Sequence, residues 1–166
     1  MKLLQCAIYL ALTGIVGFFA GRLMPKRWIK PEQGWFRSFA FEKNGAVYEK
    51  LGIRKWQNKV PDMSRILPFM MPPKNLSGDY EQRLPVMIRE TCVAEIIHMA
   101  VAFLGLPCLW IWPGAGGIAV TAIFVGLLNV PYILIQRYNR PRLLRLQQKI
   151  LSRKSKGAEC VCESYC

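Results

Sequence analysis

The sequence predicts an all-α integral membrane protein with about three transmembrane helices and cytoplasmic interfacial helices. Two observations carry this. The 166 residues are 52% hydrophobic and yet have a net charge of +13, a pairing that suits a small membrane protein better than a small soluble core. The apolar residues also fall in long runs, not at the spacing of soluble amphipathic helices. One membrane domain, 1–166, takes in the whole chain, and no internal repeat is visible.

The first run is "LLQCAIYLALTGIVGFFAG", residues 3–21, which holds no charge. It is near the roughly 20 residues that cross about 30 Å of hydrocarbon. Lys2 ahead of it is also a signal-peptide feature, but Phe18 stands where cleavage prefers a small residue. A retained span at about 3–23 is therefore expected. Residues 24–90 form the next segment, neither apolar enough to span nor polar enough for a linker. "WFRSFAFEKNG" interleaves aromatics with charges, which suits the headgroup layer. Asn44-Gly45 signals a turn. "YEKLGIRKWQNKVPD" predicts one or two short amphipathic helices ending near Pro61. "LPFMMPPK" is too short and Pro-rich to span, and suits a surface segment or a lid over a cleft.

Spans two and three are expected at about 94–112 and 114–135, joined by a Gly-rich link. The final segment, 137–166, opens with "RYNRPRLLRLQQKIL". There Asn139 suits a helix cap and Pro141 a first turn. Leu143, Leu144, Leu146, Ile150 and Leu151 make one face, and Arg142, Arg145 and Lys149 the other, as in a basic amphipathic helix on a membrane surface.

Basic residues orient the chain. Residues 22–89 hold fourteen Lys and Arg, residues 137–156 hold eight, and the link around Pro113–Gly117 holds none. By the positive-inside rule both basic segments are cytoplasmic, with the C-terminus inside, the N-terminus outside and the cell membrane as location. The charge reads as topology and anionic-lipid attraction; no nucleic-acid motif accompanies it, so no nucleic-acid partner is expected. Six cysteines make no disulfide framework: Cys6, Cys92 and Cys108 lie in or beside spans, and Cys160, Cys162 and Cys166 in a cytoplasmic tail.

Polar residues inside the spans are the functional signal. If the second span begins near Thr91, His98 lies seven residues in, about 10 Å deep. Thr91, Glu95, His98 and Ala102 share a face, and Glu95 and His98 are i, i+3 neighbours able to touch. If the third span ends near Gln136, Asn129 lies at the same depth, with Tyr132 and Gln136 on its face. A carboxylate beside a histidine orients the ring so that its other nitrogen takes a proton from a hydroxyl. An amide at that depth holds a carbonyl or oxyanion. These are the parts of acyl transfer from a thioester to an alcohol. The competing reading is a polar cluster that glues helices together. A metal triad of His98 with Glu90 and Glu95 leaves Asn129 without a role, so no metal is expected.

The chain resembles the glycosyl-4,4'-diaponeurosporenoate acyltransferases of carotenoid synthesis. The likeness runs through "FAFEKNG", "IRKWQNKVPD", "YEQRL", "ETCVAEIIH" and "NVPYILIQRYNRPRL". It implies a fatty acyl transferase acting on the sugar of a glycosylated carotenoid. The family motif carries over onto Glu90, Glu95 and His98, and onto Asn129, Gln136, Arg137, Asn139 and Arg140. The expected catalytic residues are thus His98, Glu95, Asn129 and Glu90. Gln136, Arg137, Asn139, Arg140, Arg142 and Tyr132 are expected to bind substrate, with Arg137, Arg140 and Arg142 on donor phosphates. The donor is acyl-CoA or acyl carrier protein, the acceptor a lipid or glycolipid in the membrane, and no further cofactor is called for. The rivals are a non-catalytic membrane scaffold and a membrane transferase of another group.

Overall fold

In the computed structural model, residues 1–60 and 80–163 are described, the latter stretch with side chains for 82–154. "LPFMMPPK" and the tail cysteines lie outside these residues. All regular elements among the described residues are helical. Three helical stretches, Lys2–Leu23, Gln82–Ile111 and Ala115–Lys154, are long and apolar enough to cross a membrane. This bears out the all-α, three-span fold class.

Helix α1 (Lys2–Leu23) is followed by 3-10 segments at Lys26–Trp28, Gly34–Phe36 and Ala40–Gly45, by two short helices, α2 (Ala46–Lys50) and α3 (Ile53–Trp56), and by a further 3-10 turn at Gln57–Lys59. Helix α4 (Tyr80–Leu104) leads through a tight turn to α5 (Cys108–Ile111). Helix α6 (Ala115–Leu128) returns and is succeeded at once by α7 (Val130–Glu163).

Helix α1 runs antiparallel to α4, and glycines set its approach. A Cβ on Gly17 would stand 2.5 Å from Val101 Cγ2, and one on Gly21 would stand 3.1 Å from Ile97 Cγ1. Small residues let spans approach closely where lipid supplies no hydrophobic drive between them. Tyr9 Oη donates to the Leu104 carbonyl at 2.9 Å at the far end, and Lys26 pairs with Glu90 at 2.8 Å at the near end.

Between α6 and α7 the helix breaks at Asn129 (φ −122°, ψ −48°). Pro131 has no N–H to continue the ladder. The chain resumes with Ile133 N–H on the Asn129 carbonyl at 3.2 Å.

Helix α7 corrects one expectation. Asn139 does not cap a new helix; α7 runs unbroken from Val130 past Pro141, which lies inside it. Tertiary packing overrides the local stop signal. Tyr138 is buried against Tyr48 and Ile53. The turn Ala40–Gly45 docks beside them, with Lys43 (φ 47°), Asn44 (φ 53°) and Gly45 (φ 95°) all left-handed. At Gly45 a Cβ would come within 3.4 Å of the Tyr138 carbonyl. Similarly, Ile29 packs on Cys92 and Val93 of α4. Helix α4 begins eleven residues before Thr91 and carries Pro85 within it.

Gly17→Leu should lower the melting temperature in detergent, since overpacking costs about 1–3 kcal/mol. Gly126→Ala, where nothing lies within 4 Å, should leave it unchanged or slightly raised.

Candidate active site

A cleft of about 570 Å³ lies between α1, α4 and the α6–α7 break. Its mouth carries Arg22, Lys26, Glu90, Gln136 and Asn139; its walls are largely apolar, from Gly14 and Phe18 to Val101, Phe124 and Leu128. His98 projects into it. The helix break matters here, because it frees the Asn129 side chain to turn both ways. Asn129 Nδ2 donates to the Phe124 carbonyl at 2.9 Å, and Oδ1 meets His98 Nδ1 at 3.1 Å.

That arrangement assigns the imidazole tautomer. With the amide nitrogen committed to a carbonyl, the amide oxygen faces His98 and can only accept. Nδ1 must therefore carry the proton, and Nε2 is left with a free lone pair. The Tyr132 ring stacks on the imidazole at 4.5 Å between centroids, tilted by 7°. One amide and one phenol ring thus fix both the tautomer and the plane of His98.

Glu95 does not orient His98, contrary to the sequence expectation. It is fully buried and faces α7. Its Oε1 accepts from Arg137 Nη1 at 2.5 Å and from Trp35 Nε1 at 3.2 Å, and its Oε2 accepts from Arg140 Nη2. The physical reason is charge. Away from water a carboxylate is stable only when paired, and two guanidiniums outbid a neutral ring about 60° further round the helix.

Nor do Arg137 and Arg140 face the cleft. Arg137 also donates through Nε and Nη2 to Glu42 at 2.5 and 3.2 Å. Arg140 donates through Nε to Thr91 Oγ1 at 3.0 Å and through Nη1 to the Phe36 carbonyl at 2.9 Å. The guanidiniums lie 4.5 Å from the Phe39 centroid and 5.3 Å from that of Phe36. Arg142 lies over Tyr138 at 4.8 Å. The helical period separates the motif: at 100° per residue Tyr132, Gln136 and Asn139 fall on one side of α7, and Arg137, Arg140 and Pro141 on the other. The arginine side borders a separate hollow of about 360 Å³. Most of the guanidinium N–H groups of Arg137 and Arg140 are thus given to protein acceptors.

Glu42 is the site residue that sequence reasoning missed. It is buried, and accepts from Phe39 N–H at 2.8 Å, Ser38 Oγ at 3.2 Å and Tyr48 Oη at 2.5 Å besides Arg137. Burial alone would raise its carboxyl, but the Arg137, Tyr48 and Phe39 hydrogen bonds together hold it below its ordinary value of 4.5. Burial first, then the Glu42 carboxylate, pushes Tyr48 up to about 12. The one available signal was an acid inside the aromatic stretch "FAFEKNG".

Among the described residues no group of three His, Cys, Asp or Glu is placed to hold a metal ion. What remains is a base with a fixed tautomer at the side of an apolar cleft, beside a closed set of two carboxylates and two guanidiniums. Three membrane-length helices with such a cleft between them define a helical protein of membrane type.

The family model described as glycosyl-4,4'-diaponeurosporenoate acyltransferase matches residues 31–149. Similar proteins of that name come from Staphylococcus aureus. The one from strain Newman is 32% identical over 90% of this chain and 89% of its own. Those from strains N315 and bovine RF122 / ET3-1 are 31% identical over the same shares. No solved structure matches the chain. The chain belongs to the glycosyl-4,4'-diaponeurosporenoate acyltransferase family, and its activity is acyl transfer.

Glu95→Gln should cost folding and not merely turnover. It leaves two buried guanidiniums facing one carboxylate, and breaking a buried pair costs about 3–5 kcal/mol. Melting in detergent checks this; wild-type stability would show that the pair does not hold the helices.

Acid should weaken the same cluster. A carboxyl whose folded pKa is depressed stabilises the fold fully above its ordinary value of 4.5 and loses that contribution as pH falls through the lower folded value. The melting temperature of the wild type should therefore drop on acidification below about pH 4.5. Glu42→Gln should start lower and show a flatter acid limb.

Proposed function

We propose that the chain transfers a fatty acyl group from a thioester, on CoA or acyl carrier protein, to a hydroxyl of a glycolipid such as a glycosylated carotenoid. The single observation that carries this reading is His98, presented to an apolar cleft with Nδ1–H donating to Asn129 Oδ1 at 3.1 Å and Nε2 turned to the cleft. His98 Nε2 takes the proton of the acceptor hydroxyl. The oxygen attacks the thioester carbonyl, the C–S bond breaks, and the imidazolium returns the proton to the departing thiolate. Asn129 and Tyr132 hold the ring. Gln136, Asn139 and the Glu90–Lys26 pair at the mouth meet the polar parts of the substrates. Glu95, Arg137 and Arg140 act as the frame. The basic segments support a cytoplasmic donor, a cytoplasmic C-terminus and the cell membrane as the site of action.

His98→Ala should reduce acyl transfer by at least about 100-fold, the low end of general-base contributions, while the protein keeps its melting temperature. Asn129→Leu should lose activity too, because the tautomer is no longer fixed. The assay is transfer from radiolabelled acyl-CoA to glycosyl-4,4'-diaponeurosporenoate in proteoliposomes. Full activity in His98→Ala would falsify the mechanism.

A further inference from the structure

The cleft continues past His98, and Phe124 lines it beyond that level. Gly17 lies against Val101 and Gly21 against Ile97, so Gly14, three residues before Gly17, stands near the level of Leu104. From His98 to Leu104 is six residues, about 9 Å along α4. Over that distance the cleft is bounded by Gly14, Val101, Leu128 and Phe124. Phe124 is buried, and its ring presses on the turn that ends α4: a Cβ on Gly105 would stand 2.6 Å from Phe124 Cδ1. Only glycine there leaves room for the ring. Towards the mouth, Met87 lies eleven residues below His98, about 16 Å away.

The geometry points to Phe124 as the floor of an acyl-chain pocket, setting how long a fatty chain the enzyme accepts. This rests on the acyl-transfer reading above. A thioester has two arms. With its carbonyl at His98 and its phosphate-bearing arm out through the polar mouth, its alkyl arm must run into the apolar end. There it gains free energy with each buried methylene until it meets the Phe124 ring. A sugar acceptor suits the wider, polar mouth instead.

The test measures kcat/KM for a series of saturated acyl-CoA thioesters of increasing length, with glycosyl-4,4'-diaponeurosporenoate in proteoliposomes as acceptor. In the wild type, kcat/KM should rise by up to about fourfold per methylene and then level off or fall at one length. Phe124→Leu should move that break to longer chains, and Phe124→Ala further. Phe124→Trp should move it to shorter ones. A single monodisperse elution peak and a cooperative melt of Phe124→Leu in detergent, as for the wild type, show that the variant is folded. A break at the same length in Phe124→Leu and the wild type would overturn the floor and leave acyl transfer standing. No transfer from any donor by the wild type would overturn acyl transfer and the floor with it.

Discussion

Glu95 is a carboxylate with no exposed surface, placed one helical turn from the membrane-depth histidine. Alone in that setting it would be among the most costly groups in the chain. Arg137 and Arg140 neutralise it from α7, Glu42 in turn balances Arg137, and Tyr48, Ser38 and Trp35 fill the remaining hydrogen-bond positions. Two positive and two negative charges close on themselves. The helix α4–α7 packing, the docking of the Ala40–Gly45 turn and the course of α7 past Pro141 all meet at this cluster. A buried network of this kind specifies one arrangement only while every member is satisfied.

The cleft that holds His98 is separated from this frame by the helical period alone. Gln136 and Arg137 are adjacent in sequence yet serve different environments, as do Asn139 and Arg140. One face of α7 lines the cleft with neutral polar groups, and the other carries the buried charge. His98 consequently lies beside neutral partners, Asn129 and Tyr132. An amide that accepts from Nδ1 leaves Nε2 available without adding a fixed charge near the reacting atoms.

Much of this was legible in the sequence. The three spans announced themselves as uninterrupted apolar runs, because hydrocarbon thickness sets their length. Counting residues from the basic flanks placed His98 and Asn129 at one depth, and they do meet. What periodicity could not supply was the choice of partner. It gives the face on which Glu95 stands, not what another helix brings to that face, and a guanidinium outcompetes a neutral imidazole there. Glu42 lies in a stretch of single turns with no period to read. The course of α7 was obscured for the opposite reason: Asn139 and Pro141 carry strong local signals for a boundary, and distant contacts from Tyr48 and Gly45 override them.

The pair between Glu42 and Arg137 spans 95 residues of chain. A ribosome makes Glu42 first, and then α4 with Glu95, before any arginine of α7 exists. Until then both acids lack their guanidiniums. Glu95 on the second span therefore gains its charge partners only once the third span has been made, so the order of synthesis leaves this cluster to close last.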